Sequence, residues 1–262
     1  MELSVLFFGD IVGDAGRDAV AELLPTLREE FKPDLVLANA ENATRGKGVS
    51  FDHYKELRKA GVDAMTTGDH IWQSPDIVDH FDDKDVMVTK PANYAGTPGR
   101  GYLDLTVLGK KVRVMNFIGR VFTGVHAENP FLLFDEMWDD LPRADVTIID
   151  FHAEATSEKR AFAEHVSGRA SLVVGSHTHV PTGDAQILPE GTGFISDMGM
   201  CGPTNSCLGA DKEPIIKNFL TGLPWRYSLA TGQCELGAIF CRIDVESGKT
   251  THLEHVRRFT QS

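Results

Sequence analysis

Along this chain, short apolar runs closed by small, acidic or histidine residues alternate with stretches of helical spacing, which predicts a βαβ-type succession. Leu3 to Phe8 is such a run, closed by Gly9-Asp10, and Val20, Leu23, Leu24, Leu27 and Phe31 then share one helical stripe. Asp18 is the expected cap of that helix, and Pro25 removes one internal hydrogen bond from it. Leu35 to Ala38 reads as a second strand with Glu41-Asn42 just beyond it. Phe51 to Ala60 reads as a helix stopped by Gly61, and Ala64 to Thr67 leads into Gly68-Asp69-His70. The repeated order of strand, polar residue and helix predicts a largely parallel sheet with its functional residues at the carboxyl ends of the strands.

The middle of the chain changes character. Tyr102 to Leu108 and Val112 to Phe117 flank Gly109-Lys110-Lys111 as a hairpin, and over Pro130 to Leu141 the residues Phe131, Phe134, Met137 or Trp138, and Leu141 lie at helical spacing as a core stripe. Val146 to Ile149 is a buried strand running into Asp150-Phe151-His152. Ser157 is the expected cap of a helix over Glu158 to Val166, and Leu172-Val173-Val174 leads to His177 and His179. Leu236 to Ile243 and Thr251 to Phe259 form a closing antiparallel pair around Glu246-Ser247-Gly248-Lys249.

Composition narrows the class without changing this picture. The 262 residues are 42% hydrophobic and 24% charged, an ordinary balance for a packed protein, and no linker divides them, so one domain over residues 1–262 is expected. No apolar stretch reaches membrane length. A formal net charge of -12 and the lack of a basic stripe argue against a long nucleic acid as partner; a small phosphate ester is compatible, since bound cations reverse the local field. The four cysteines have no zinc or disulfide spacing, and the N-terminus has no basic secretory region, so a cytoplasmic setting is expected. A homo-oligomer is compatible with all of this.

Chemistry concentrates at the predicted strand ends. His177 and His179 form a His-x-His pair, and Asp10, Glu41, Asn42, Asp69, His70 and His152 stand at equivalent points upstream. Neutral imidazoles hold divalent transition ions and carboxylates can bridge them, so the set reads as a two-metal phosphoesterase site. Each residue has a plainer reading in isolation: an acid as a helix cap, Asn42 as a turn residue, His70 as an orienting group. Asp150 reads as structural rather than as a ligand. Gly9, Gly13 and Gly16 lack the dinucleotide-binding spacing and read as a tight turn behind Asp10. Arg45-Gly46-Lys47-Gly48 is either a substrate contact or a solvated turn.

Taken together, Gly9-Asp10, Glu41-Asn42, Gly68-Asp69-His70, the run from Asp150 to Lys159, Gly175-Ser176-His177-Thr178-His179-Val180 and the Asp197-Met198-Gly199-Met200 segment resemble the YmdB-like family of bacterial calcineurin-type metallophosphoesterases. The resemblance implies a four-layer α/β/β/α sandwich with two mixed sheets, and hydrolysis of 2′,3′-cyclic nucleotides to 3′-nucleotides. It implies one metal held by Asp10, Glu41, Asn42 and His179, and another by Glu41, Asp69, His152 and His177, with His70 as general acid. The cofactors would be two divalent or mixed-valence transition metal ions, iron or manganese, with zinc also suited to the ligands. In such a centre a metal-bridging hydroxide attacks phosphorus and the cations, roughly 3.5–4 Å apart, neutralise the growing charge.

One residue departs from the family pattern. Members typically carry Gly-Asn-His where this chain has Gly68-Asp69-His70. The extra carboxylate is expected to hold metal more tightly, to attract an anionic phosphodiester less, and to raise the pKa of His70. Three alternatives stay open at this level: a broader phosphoesterase, a regulatory nucleotide-binding protein with low turnover because of Asp69, and a metal-dependent amidohydrolase. No carbamylated-lysine position favours the last.

Overall fold

A computed structural model describes residues 1–261. The chain forms two six-stranded sheets packed face to face, with helices on both outer surfaces. In the first sheet, β1 (Glu2–Ile11), β2 (Leu35–Asn39) and β3 (Ala64–Thr66) run parallel. β10 (Met200–Pro203), β11 (Cys234–Asp244) and β12 (Lys249–Phe259) complete it in the order β12-β11-β10-β1-β2-β3. β11 pairs antiparallel with the first part of β1, while the last two residues of β1 pair with β10.

The second sheet has the order β4-β5-β6-β7-β9-β8. Its parallel centre is β5 (Lys110–Ile118), β6 (Val146–His152), β7 (Leu172–Ser176) and β9 (Gly193–Ile195), with β4 (Tyr102–Val107) and β8 (Gln186–Ile187) antiparallel at its edges. Both sheets are therefore mixed, where the strand–helix alternation alone predicted one largely parallel sheet.

Period-two alternation explains the layering. On β1, Leu3, Val5 and Phe7 point between the sheets against Val112, Val114, Ile148 and Leu172, whereas Leu6 and Phe8 point outward. That outer face is covered by α1 (Gly13–Phe31) through Val20, Leu24 and Leu27, and by α2 (Phe51–Ala60) through Tyr54 and Leu57. On the second sheet, Phe117 and Phe151 point outward under α3 (Pro130–Asp140) and α4 (Thr156–Val166), where Phe134 and Phe162 pack on them. The Phe151 and Phe162 rings stack at 4.2 Å.

Two expected caps are replaced. α1 begins at Gly13, so Asp18 sits inside the helix instead of capping it. Gly13 adopts φ +60 and its N–H donates to the Asn42 carbonyl at 2.9 Å, which starts the helix as a direct continuation of β1. Gly9 lies within β1 and Gly16 within α1, so the glycines do not form one turn. α4 begins at Thr156 with Ala155 at its N-cap, ahead of the expected Ser157 cap. α1 runs on through Pro25, and Gly61 ends α2 at φ 112 as expected. The segment between 180 and 233, for which the hydrophobic pattern carried no assignment, holds β8, β9, β10 and α5 (Lys212–Thr221).

Candidate metal centre

Parallel strands from both sheets end at one place, and each brings a polar residue there. Asp10 is the penultimate residue of β1, Glu41 and Asn42 follow β2, and Asp69 and His70 follow β3; His152 closes β6, and His177 and His179 follow β7. The pairing continues β6 to its histidine, so Asp150 and His152 are strand residues and not loop residues. Gly68 allows the approach of β3 to the others, because a Cβ there would overlap Glu41 Oε2 and the His152 ring.

The seven expected metal residues converge. Glu41, Asp69, His152 and His177 offer ligand atoms within 4.8 Å of one another, and so do Asp10, Glu41 and His179, with Glu41 common to both groups. His152 Nε2 lies 3.1 Å from Glu41 Oε2 and 3.2 Å from Asp69 Oδ1. His177 Nδ1 lies 3.1 Å from His152 Nε2 and 3.5 Å from Asp69 Oδ1. His179 Nε2 faces Asp10 Oδ1 at 3.9 Å. His177 at φ 98 and His179 at φ 64 both adopt left-handed backbone, which turns two rings of a His-x-His pair toward one cluster.

Asn42 departs from the arrangement expected of a ligand. Its amide nitrogen, rather than its oxygen, faces Glu41 Oε1 at 2.9 Å and His179 Nε2 at 3.0 Å, because N–H groups satisfy the carboxylate here. Its oxygen lies 2.8 Å from His70 Nδ1. His70 Nε2 is 3.7 Å from Asp69 Oδ2, so this ring bridges the amide and the carboxylate at the mouth of the cluster.

A buried polar layer beneath the cluster sets the imidazoles. His152 Nδ1 lies 2.8 Å from Ser176 Oγ, which donates to Asp150 Oδ1 at 2.6 Å. Asp150 Oδ2 accepts from Asn39 Nδ2 at 2.8 Å and from the Thr66 hydroxyl. Asp150 is therefore structural, as expected, and the chain through Ser176 leaves His152 Nε2 for the cluster. His179 Nδ1 is held by the Leu208 carbonyl at 3.0 Å, and His177 Nε2 by Glu154 Oε2 at 3.2 Å, which turns their other nitrogens inward.

The loop between those histidines has its own anchor. Asp197 accepts from Thr178 N at 3.0 Å, Thr178 Oγ1 at 2.8 Å and Lys159 Nζ at 2.8 Å, and both charged residues are buried. Asn39, Ser176, Lys159, Asp197 and the Leu208 carbonyl were not singled out from sequence. Lys159, Ser176 and Asp197 fall inside the segments that carry the family resemblance, and that is the one signal the sequence holds for them.

Electrostatics favour added positive charge. Burial pushes the Asp10 carboxyl up to about 8, against the opposing His152 charge. Burial also penalises the carboxylates of Glu41 and Asp69, yet His152, with its charge and hydrogen bonds, holds both below the usual range. The His152 pKa is raised well above its ordinary value because Glu41, Asp69 and Asp10 outweigh its burial. Asp10 Oδ1 is buried and without a hydrogen-bond partner, and it lies 3.9 Å from both His179 Nε2 and His152 Nδ1. Such an atom is costly unless a cation answers it, so the residues fit a metal pair.

A cavity of about 330 Å³ opens beside the cluster, reached by Glu41, Asn42, His70, His177 and His179. Arg45 and Lys47 stand on it, which sets the Arg45–Gly48 turn at the site. The remaining histidines lie apart: His165 pairs with Asp135 at 2.9 Å, and His53 Nδ1 meets the Thr44 hydroxyl at 2.7 Å. All four cysteines are free.

Residues 6–256 match the family described as YmdB-like protein. The chain is 44% identical over 256 residues to the 2′,3′-cyclic-nucleotide 2′-phosphodiesterase of Bacillus subtilis, covering 97% of this chain and 96% of that protein. A crystal structure from Mycoplasma pneumoniae, described as a novel phosphatase, is similar with TM-score 0.93 and 36% identity, covering 99% of this chain and 94% of that one. A hypothetical protein from Thermus thermophilus is similar with TM-score 0.92 and 38% identity, covering 99% of this chain and 100% of that one. With the match running nearly end to end, the chain belongs to the YmdB-like family.

Proposed function

We propose that this chain, as one domain, is a metal-dependent phosphodiesterase that hydrolyses 2′,3′-cyclic nucleotides to 3′-nucleotides. The observation that carries this reading is the pair of donor groups sharing Glu41, with the orphaned Asp10 Oδ1 in one of them. Asp10, Glu41 and His179, joined by the Asn42 oxygen once its amide is turned, would hold one ion; Glu41, Asp69, His152 and His177 would hold the other. Iron or manganese suits these ligands, with zinc an alternative. Such ions, when bound, supply Lewis acidity that activates water and neutralises charge on the phosphoryl oxygens.

The chain's own residues supply the rest. Strand ends and the layer through Ser176 and Asp150 keep the donors rigid, so little reorganisation is needed during reaction. His70 is raised in pKa by its hydrogen bond with Glu41, against burial, and then by the charges of Glu41 and Asp69. It therefore holds a proton for the leaving 2′ oxygen, whose departure without one is slow. Arg45 and Lys47 offset the negative cluster for an arriving anion.

The same relatives include one named a phosphatase, which favours a broader phosphoesterase as the second reading. Protein loaded with manganese or iron should convert 2′,3′-cyclic AMP to 3′-AMP. Release of 2′-AMP, or cleavage of phosphomonoesters while the cyclic ester stays intact, would overturn the substrate assignment. Tight cyclic-nucleotide binding without product would instead mark a regulatory binder. None of the described helices is long and apolar enough to cross a membrane, and the free cysteines accord with a cytoplasmic setting.

A further inference from the structure

The cavity beside the cluster has two chemically different kinds of lining. One is the polar set Glu41, His70 and His179; the other is an apolar wall of Leu208, Ile215, Tyr227 and Leu229. The wall comes from the stretch between β10 and β11, which contributes no strand to either sheet.

This stretch is tied to the site at two places and closed on itself between them. The Leu229 side chain lies against Gly13 and Gly46, where an added Cβ would collide with its methyl groups. Asp211 N donates to the Ser228 carbonyl at 2.8 Å and Ala230 N to the Gly209 carbonyl at 2.9 Å, closing the stretch on itself. The Leu208 carbonyl meets His179 Nδ1 at 3.0 Å. The wall is thereby held in register with the cluster, while the Tyr227 side chain stays 55% exposed and open to a ligand.

A substrate that matches both linings carries a compact anion at one end and a flat apolar ring at the other. We propose that the wall is a nucleobase subsite in which Tyr227 stacks on the heterocycle while the ribose phosphate lies against the strand ends. This rests on the phosphodiesterase reading for the phosphate end. A volume of about 330 Å³ has room for one mononucleotide. The aliphatic side chains of Leu208, Ile215 and Leu229 offer no hydrogen-bond donors. Any reading of base identity falls to the Tyr227 and Ser228 hydroxyls, which line the same cavity.

Calorimetry on the metal-loaded protein tests this with two probes, adenosine 3′-monophosphate and the base-free methyl β-D-ribofuranoside 3-phosphate. The nucleotide should bind about tenfold more tightly, from one base stacked on an aromatic side chain. Tyr227→Ala should remove most of that advantage and leave the base-free probe unchanged, and Tyr227→Phe should retain it. Equal affinities for both probes in the parent, or a Tyr227→Ala loss shared by both, would overturn the subsite. The two readings fail separately. Base-dependent binding without turnover of 2′,3′-cyclic AMP keeps the subsite and sinks the reaction. Turnover of that ester without any preference for a base does the reverse.

Discussion

The strand-end cluster and the stretch from 204 to 232 face each other across one cavity, yet they are built on opposite principles. Asp10, Glu41 and His152 are buried and come from strands whose neighbours are packed on both faces. In the facing stretch, α5 buries none of its side chains, and Phe219 is 84% and Leu220 78% exposed. The donor atoms thus sit on buried strand ends, whereas the facing wall sits on a stretch whose helix is exposed. The two halves should therefore respond differently to mutation.

The sharpest break is expected at Glu41→Gln. Loss of the one carboxylate common to both donor groups should reduce turnover by more than about 100-fold, beyond the roughly 10–100-fold typical of residues one shell further out. Metal content measured on the purified variant should fall with it. Retention of both ions at parental affinity would remove Glu41 from the bridging position.

Next in size is Lys159→Met, which leaves Asp197 buried without its cation. A cost of about 3–5 kcal/mol in urea unfolding is expected. Because Asp197 also holds Thr178 between the two histidines, metal affinity should drop as well; a stability loss alone would confine Lys159 to the core.

Asp69→Asn should act more gently, on pH dependence. Its carboxylate is one of the charges that raise the His70 pKa, after the Glu41 hydrogen bond and against burial. A general acid works protonated, so rate falls as pH rises through that pKa. The amide should move this falling limb of the kcat profile to lower pH under saturating metal, and weaken metal retention. Unchanged metal affinity with an unmoved limb would show that the extra charge at Asp69 is immaterial.

The smallest effect belongs to the outer side of α5. Phe219→Ser should change unfolding stability by no more than about 0.5 kcal/mol and leave turnover of a base-free cyclic phosphate intact. A large loss would place α5 in the buried half of the comparison.

Those parts of the fold are legible in the sequence whose segments carry their own apolar pattern. Leu3 to Phe8, Leu35 to Ala38 and the closing pair from Leu236 to Phe259 became strands because each carries its own apolar pattern. The caps were misjudged where tertiary contacts overrode local chemistry, as Gly13 bonding to Asn42 displaced Asp18. α5 and the wall stayed unread because an exposed helix has no core-facing stripe to announce it.

By itself, the amino-acid sequence determined the set of ligand-type residues and their delivery at strand ends, since strand length and the residue after it are local properties. The family resemblance already implied Glu41 in both donor groups, and only the tertiary structure decided that Asn42 turns its nitrogen inward. It also decided that Asn39 supports Asp150 from 111 residues away and that His177 N reaches Asp10 across 167. Contacts of that span arise where the two sheets meet, and no local period encodes which strand end will face which.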